Sequence, residues 1–303
     1  MSSQTTPSSH QATLADVLEV LERLYPAELA ESWDKPGLSV GNLAAPVSKV
    51  YLALDATRAV VEDAIAWGAD LIVTHHPFLF TALGAVTTQS DRGASIYRLI
   101  SSGCALFSAH TNADSARRGV NDALADRLGL VDTRPLTPTI NDDSLGLGRI
   151  GRLPAPLRLE EFATLVANAL PQAAQGIRVV GPQDATVSTV AVLGGSGGSL
   201  LEEAAASGAD VYLTSDLKHH DVLDFVEARA NSATTAPGAD AGPTRTIVEK
   251  PFLIDSAHWA SESVWLPYAA ADLADALAAA GTPIETRVSD ITTDPWTFHV
   301  RAN

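Results

Sequence analysis

Two segments of the chain, 140 residues apart, carry the same pattern of strands and helix. Residues 50–74 (VYLALDATRAVVEDAIAWGADLIVT) align without a gap with residues 190–214 (VAVLGGSGGSLLEEAAASGADVYLT). Each segment contains an apolar strand, a polar turn, a helix that carries Glu, the tripeptide Gly-Ala-Asp and a second apolar strand that ends in Thr. Apolar strands that alternate with helices are typical of a parallel sheet covered by helices.

A second pair of matching segments lies downstream. FSAHTNADS (107–115) aligns with DSAHWASES (255–263), and Asp114 falls opposite Glu262. Two matched pairs in the same order indicate that one βαβ-containing unit has been duplicated. We therefore predict an α/β fold of two similar units, with mixed sheets flanked by helices.

The length of 303 residues is consistent with two domains. We predict a first α/β unit over 13–130, a connecting segment over 131–189 and a second unit over 190–303. A polar stretch at 1–12 predicts a disordered tail. Residues 231–245 are rich in Ala, Thr, Gly and Pro, which predicts a flexible surface insertion.

Local patterns predict individual elements. Apolar residues at helical spacing predict a helix over 13–25 with Thr13 as its N-cap, and Pro and Gly residues predict a loop over 31–42. The same reasoning predicts strands over 50–54, 71–74 and 177–180, and helices over 58–67 and 159–170.

The charge balance excludes several classes of protein. Lys plus Arg total 20 and Asp plus Glu total 36, so the net charge is −16, which argues against binding to nucleic acid or to anionic membranes.

The single cysteine, Cys104, excludes an intrachain disulfide and a Cys-based zinc site. The sequence contains neither a secretory signal nor an apolar run of membrane-spanning length, so we expect a cytoplasmic protein.

Six of the eight histidines fall into clusters. His75 and His76 follow the apolar strand 71–74, at the end of the strand where open α/β sheets place their ligand sites. This position is equally compatible with a metal site and with two surface or N-capping histidines in a loop. His258 and Glu262 are four residues apart, so on a helix they share a face.

His110 and Asp114 repeat the spacing of His258 and Glu262. Each pair could bind a metal ion, or form a hydrogen bond on a solvated helix. Imidazoles and carboxylates without sulfur suit Zn²⁺, Fe²⁺, Mn²⁺ or Co²⁺. Two such ions would activate a water for hydrolysis of a phosphoester, an amide or a ring C–N bond.

The strand of the second repeat is not followed by a His-His pair. Instead, Lys218, His219 and His220 come about one turn later, where we expect them to line the pocket and contact an anionic substrate. The alternative is a helix N-terminus capped by Ser215 or Asp216.

Five motifs, in this order, resemble those of one family. They are WDKPGLSVGN (33–42), LIVTHHPFLF (71–80), SAHTNADSARRGVND (108–122), DVYLTSDLKHHD (210–221) and DSAHWASE (255–262). Over about residues 14–300 the chain resembles the Nif-three-like (NGG-interacting-factor-like) dinuclear-metal-centre hexameric proteins, also called GTP cyclohydrolase I type 2 homologues. It departs from the family at Ser215 and at Ala257, where glycine is usual.

The resemblance implies two intertwined α/β units, a toroidal homohexamer and a site for two divalent metal ions. By motif, it implies that Glu262 bridges the ions and that His110 lies beside them and contacts the substrate, which makes these two the expected catalytic residues. The full ligand set that the resemblance implies is His75, His76, Asp114, His258 and Glu262.

The family name implies hydrolytic opening of the purine ring of GTP. We therefore expect a dinuclear metal-dependent hydrolase that acts on a nucleotide or a small phosphorylated substrate through a metal-activated water. The alternative is a non-catalytic metal-binding scaffold or regulatory ring that binds a protein partner.

Overall fold

The computed structural model describes residues 11–230 and 249–300. The predicted insertion at 231–245 lies outside the described residues, and of the predicted tail only Gln11 and Ala12 are described, with Ala12 buried. The chain divides into two compact units. The first contains the described parts of 1–119 and 266–293, and the second those of 120–265 and 294–303.

The described residues form eleven strands and ten α-helices. The strands are β1 Gly37–Val40, β2 Lys49–Ala53, β3 Leu71–Thr74, β4 Ala105–Ser108, β5 Val131–Pro138, β6 Gly146–Arg158, β7 Arg178–Val180, β8 Thr186–Ser196, β9 Val211–Ser215, β10 Phe252–Ser256 and β11 Glu285–Val288. The helices are α1 Leu14–Leu24, α2 Arg58–Trp67, α3 Asp91–Ser102, α4 Thr111–Ser115, α5 Val120–Arg127, α6 Leu159–Ala169, α7 Leu201–Ala206, α8 His219–Ala230, α9 His258–Ser263 and α10 Leu266–Ala279. None of these described helices combines the length and apolarity needed to span a bilayer.

Each unit is built on its own mixed sheet. The first sheet has the order β1-β4-β3-β2-β11, in which β1 is antiparallel to β4 and the other pairs are parallel. The second has the order β5-β6-β8-β9-β10-β7, with β8, β9 and β10 parallel and the remaining pairs antiparallel. The four-strand series β1-β4-β3-β2 and β7-β10-β9-β8 therefore have the same order and directions, which confirms the predicted α/β fold with two similar units.

The repeated Gly-Ala-Asp tripeptide has the same structural role in both units. Gly68 and Gly208 lie at the ends of α2 and α7 with φ of 84° and 79°, a conformation that favours glycine. Two residues further on, Asp70 Oδ2 accepts hydrogen bonds from the backbone N–H groups of Ser48 (2.8 Å) and Lys49 (2.9 Å). In the second unit, the equivalent carboxylate accepts two such bonds in the same way, from Ser188 (2.7 Å) and Thr189 (2.9 Å).

The central strands lie in the core. Every residue of β3, β4, β9 and β10 is buried, which explains why these segments read as continuous apolar runs. In the second unit, Val190, Val192 and Leu213 pack with Phe162 of α6 in one apolar cluster. This packing fixes the strand ends from which the chemistry-bearing side chains project.

Several predicted elements are confirmed. Helix α1 begins after Thr13, whose side chain forms a capping box with Asp16. The predictions for β2, α2, β3, α6 and β7 agree with the structure to within one or two residues at each end.

The prediction of a loop over 31–42 is wrong in part, because this segment contains β1. Gly37 has φ of 121° and begins a short strand that pairs with β4 along one side. Pro36 precedes this strand and Gly41 follows it. These two residues bound a short edge strand, a place where proline and glycine are tolerated.

The unit boundaries also differ from those expected at 131–189 and 190–303. Residues 131–189 supply β5, β6, α6 and β7, whose strands all belong to the second sheet. Residues 266–293 belong to the first unit, where β11 pairs in parallel with β2. Hydrogen bonding to the edge of the first sheet, rather than position in the sequence, decides this assignment.

Candidate metal centre

His75 follows β3 directly, and its side chain is completely buried. Its Nδ1–H donates a hydrogen bond to the carbonyl oxygen of Ala109 (2.9 Å). A carbonyl can only accept, so in the neutral ring the lone pair is on Nε2. This is the arrangement by which proteins orient a metal-ligating imidazole.

His76 is held in the same manner by a carboxylate. Its Nδ1 lies 2.7 Å from Oδ1 of Asp55, the second residue after β2. Asp55 also accepts a hydrogen bond from the hydroxyl of Thr293 through Oδ2. The Nδ1–H bond again leaves Nε2 of His76 as the coordinating atom.

His110 lies just before α4, and its Nδ1 is 3.0 Å from Oδ2 of Asp34. Burial lowers the pKa of His110 to about 4, helped by the neighbouring His75, although Asp34 acts in the opposite direction. Burial by itself would raise the pKa of Asp34, but hydrogen bonds from Thr111 and His110 lower it. At neutral pH this arrangement keeps the imidazole neutral beside an ionised carboxylate.

These elements bring four of the predicted residues together in the first unit. One ring nitrogen each from His75, His76 and His110 lie within 4.8 Å of one another, a grouping that could hold a metal ion. A carboxylate oxygen of the buried Asp114 lies 3.7 Å from Nε2 of His75. Clustered imidazole nitrogens with an adjacent carboxylate fit a divalent ion such as Zn²⁺, Fe²⁺, Mn²⁺ or Co²⁺.

His258 and Glu262 lie on α9 in the second unit, one helical turn apart. Nε2 of His258 is 3.1 Å from Oε2 of Glu262, and its Nδ1 is 2.7 Å from Oδ2 of Asp216. The His–carboxylate pair of the i, i+4 spacing is therefore formed, but Glu262 is buried and does not lie on the solvated face that the alternative required. Burial disfavours the charged imidazole, but the two carboxylates outweigh it and raise the pKa of His258 to about 11. A metal ion bound at Nε2 would displace this proton.

The glycines at the C-terminal end of β8 make room for Glu262. Gly195 has φ of 69°, and a Cβ atom on it would lie 2.0 Å from Oε1 of Glu262 and 3.1 Å from Nε2 of His258. The N–H of Gly195 donates to the hydroxyl of Ser261 (2.9 Å) on the same helix as Glu262. The close approach of backbone to carboxylate therefore requires glycine here.

The three residues predicted to contact substrate in the second unit are exposed. His219 and His220 begin α8 with ring centroids 5.2 Å apart, and Lys218 precedes them. His219 lines a cavity of about 350 Å³ that is largely apolar. Of the residues considered as caps, Ser215 lies in β9 and Asp216 accepts from His258. The substrate role stays a prediction.

The sequence reasoning missed three carboxylates that contact the Nδ1 atoms of histidines. They are Asp34, Asp55 and Asp216. A signal was available for two of them. Asp34 belongs to the WDKPG motif, and Asp216 occupies the place that His76 has in the first repeat.

Comparison with known proteins identifies the family. The family model described as Duf34/NIF3 (NGG1p interacting factor 3) matches residues 12–237. The chain belongs to this family. The match covers most of the first unit and the first part of the second, including the two helices α2 and α7 of the repeat.

Individual relatives extend the similarity over nearly the whole chain. The chain is 43% identical over 289 residues to a GTP cyclohydrolase 1 type 2 homolog of Streptomyces coelicolor, covering 95% of this chain and 94% of the relative. Among solved structures, a Bacillus cereus protein related to NIF3 has a TM-score of 0.83 at 26% identity, covering 96% of this chain and all of that one. A hypothetical protein of Staphylococcus aureus has a TM-score of 0.82 at 27% identity over the same shares.

Proposed function

We propose that this member of the family is a dinuclear metal-dependent hydrolase that acts on a nucleotide or a small phosphorylated substrate. The observation that carries the proposal is the clustering of three histidine nitrogens within 4.8 Å in the first unit. Two of these rings have Nδ1 engaged by a carbonyl or a carboxylate, which directs Nε2 to a ligand.

The proposed ligand set consists of three imidazoles and two carboxylates. Membership of the family supports it, because the five residues occupy the motifs that the resemblance identified. Glu262 is proposed to bridge two ions, each Zn²⁺, Fe²⁺, Mn²⁺ or Co²⁺. The proposed set is His75, His76, Asp114, His258 and Glu262.

When bound, the two ions would supply Lewis-acid activation of a water and of the substrate. The chain's own residues hold and move the protons. The pKa of His110, about 4, leaves its imidazole neutral, and Asp34 beside Nδ1 leaves Nε2 as the atom that accepts a proton. Glu262, buried against His258, is the second proposed catalytic group.

Aromatic side chains next to His110 support a nucleotide as the substrate. The rings of Trp33 and Phe80 lie 5.8 and 5.5 Å from the His110 ring, measured between centroids, and both residues are more than half exposed. Exposed aromatic rings stack on nucleobases. The similarity to a GTP cyclohydrolase 1 type 2 homolog agrees with a purine nucleotide as the first compound to test.

Elemental analysis of protein purified without added metal tests the proposal. About two ions per chain are expected in the native protein, with losses in His75→Ala and Glu262→Gln. Glu227→Gln, an exposed carboxylate on α8, serves as the control and should keep the metal. Under half an ion per chain, unchanged in the variants and after reconstitution, would contradict the proposal. Turnover of nucleotides and phosphoesters is then measured with the identified metal.

A non-catalytic scaffold is the second candidate function. The segment near the C-terminus exposes Trp296, Phe298 and Val300 by 65, 78 and 82%, and these alternate residues form the kind of apolar surface that protein partners cover. A scaffold would bind metal but hydrolyse no compound of a broad panel, and Glu262→Gln would abolish metal binding without affecting partner binding.

We also propose a toroidal homohexamer located in the cytoplasm. The family resemblance supports the assembly, and light scattering should then give about six times the chain mass of 31.6 kDa. A mass near that of one chain would refute the hexamer.

A further inference from the structure

A cavity of about 270 Å³ opens beside His76 within the first unit. It lies where β2 leads into α2 and where α3 begins, so the first turns of two helices form part of its wall. His76 and Phe78, which follow β3, form another part. His76 therefore lines this cavity and also belongs to the candidate metal centre.

The cavity presents several groups that attract an anion. Arg58, the first residue of α2, and Arg92, in the first turn of α3, both line it. These helices are 10 and 12 residues long, and the first N–H groups of a helix carry partial positive charge. Within the described part of the chain, the guanidinium of Arg92 makes one long contact, 3.5 Å to the hydroxyl of Thr81, which leaves most of its donors available.

A buried serine points to a ligand independently of the helix ends. Ser95, one turn into α3, lines the cavity and is only 3% exposed. No hydrogen bond of its hydroxyl is found within residues 11–230 and 249–300, and its oxygen is not among the fully buried atoms that lack a partner, so it is open to the cavity. A hydroxyl that faces a cavity without a protein partner can bond to a group held in the cavity, so a bound oxygen would satisfy it.

Two carboxylates also line the cavity, and neither prevents anion binding. Both carboxylate oxygens of Asp55 already have hydrogen-bond partners, His76 at Oδ1 and Thr293 at Oδ2. Asp91 is 91% exposed and lies 4.0 Å from Arg58, a separation at which an exposed ion pair contributes little. A phosphate that accepts two parallel bonds from a guanidinium forms a stronger contact than this ion pair.

We propose that this cavity binds the phosphate group of the substrate, with Arg58, Arg92 and the Ser95 hydroxyl as donors. The inference rests on the proposed function, because it places the phosphate beside the ligand His76. The volume is below the roughly 300–1,000 Å³ of pockets that enclose a drug-sized ligand, which suits a phosphate group and not a whole nucleotide. In the second repeat, glycines 195 and 198 occupy the places of Asp55 and Arg58, so only the first unit carries these side chains.

Titration calorimetry with inorganic phosphate tests this site, first on metal-free and then on metal-loaded protein. We expect phosphate to bind both forms and to bind at least about tenfold more weakly to the double variant Arg58→Gln/Arg92→Gln. Ser95→Ala should weaken binding to a smaller extent. Arg98→Gln is the matched control, since Arg98 lies on the same helix α3 but pairs with Glu62. Unchanged binding in the double variant, or an equal loss in the control, would overturn the proposal.

The same variants separate this inference from the proposed function. If the double variant loses phosphate binding while no compound is hydrolysed by the native protein, the hydrolase proposal fails and the phosphate site stands. If phosphorylated substrates are hydrolysed and the double variant leaves KM unchanged, the phosphate site fails and the hydrolase stands. Circular dichroism verifies that the arginine variants, changed at exposed residues, and the Ser95→Ala variant, changed at a buried one, remain folded.

Discussion

Replacing Gly195 with alanine tests how closely the backbone confines Glu262. The new Cβ would lie 2.0 Å from Oε1, and contacts of a Cβ below 3.0 Å essentially never occur, so the carboxylate must move by about 1 Å. Glu262 is only 3% exposed and contacts His258 at 3.1 Å, so the movement disturbs both candidate ligands.

Gly208→Ala provides a matched control in the same unit. Gly208 has φ of 79°, close to the 69° of Gly195, but a Cβ on it would meet nothing within 4 Å. Both variants should lose about 1–2 kcal/mol of unfolding free energy, because alanine is strained in the left-handed region. The additional loss in Gly195→Ala should be small, since the displaced atom is at the end of a side chain.

Metal affinity should distinguish the two variants where stability does not. We expect Gly195→Ala to bind metal roughly tenfold or more weakly, an effect in the range found when the support of a ligand is disturbed, and Gly208→Ala to bind as the native protein does. Urea unfolding measures the stability, and competition with a chelating indicator measures the affinity. Equal affinities in the two variants would refute the confinement of Glu262 by Gly195.

Two further predictions concern the groups that hold the histidines. Asp55→Asn should weaken metal binding by roughly 10–100-fold, because His76 loses its carboxylate partner, whereas Asp63→Asn, in the same unit, should leave the affinity unchanged in the same competition assay. In metal-free protein, the pKa of His258 is raised from 6.5 to about 11, so the folded state binds this proton more tightly than the unfolded state. The resulting stability is complete below pH about 6.5 and is lost as the pH rises toward about 11. Urea unfolding across this range should show the decline, and His258→Gln should reduce it; an identical decline in that variant would contradict the assignment.

The elements that could be predicted from sequence are those whose burial leaves a local pattern. Strands β3 and β9 are buried along their whole length, so each appears as an apolar run. The Gly-Ala-Asp tripeptide marks the turn before each of them. Since ligand residues of α/β folds lie at strand ends, finding the strands also located His75 and His76.

The carboxylates that hold the histidines left no such pattern. Asp34 and His110 are 76 positions apart, and only the folded chain brings them within 3.0 Å. With 36 Asp and Glu residues in the sequence, no local periodicity separates the three that hold a histidine from the others, and only the motif of Asp34 and the repeat position of Asp216 distinguish two of them. Strand β11 was missed for a related reason, since its four residues join a sheet whose other strands end at Ser108.

The two repeats have diverged at the residues that follow their second strand. His76 in the first repeat corresponds to Asp216 in the second, at the offset of 140. Asp216 adopts φ of 55°, a conformation that aspartate tolerates better than most residues, and its carboxylate holds Nδ1 of His258. One structural position therefore carries a candidate ligand in one unit and an orienting carboxylate in the other.

A complementary exchange occurs where the first strand of each repeat ends. Asp55 orients His76 in the first unit, whereas the equivalent Gly195 makes room for Glu262 in the second. A carboxylate at position 195 would occupy the space of Glu262, and a glycine at position 55 would leave His76 without the acceptor for its Nδ1–H. Each change is therefore compatible only with the ligand of its own unit, so the two copies support their histidines by different residues on the same fold.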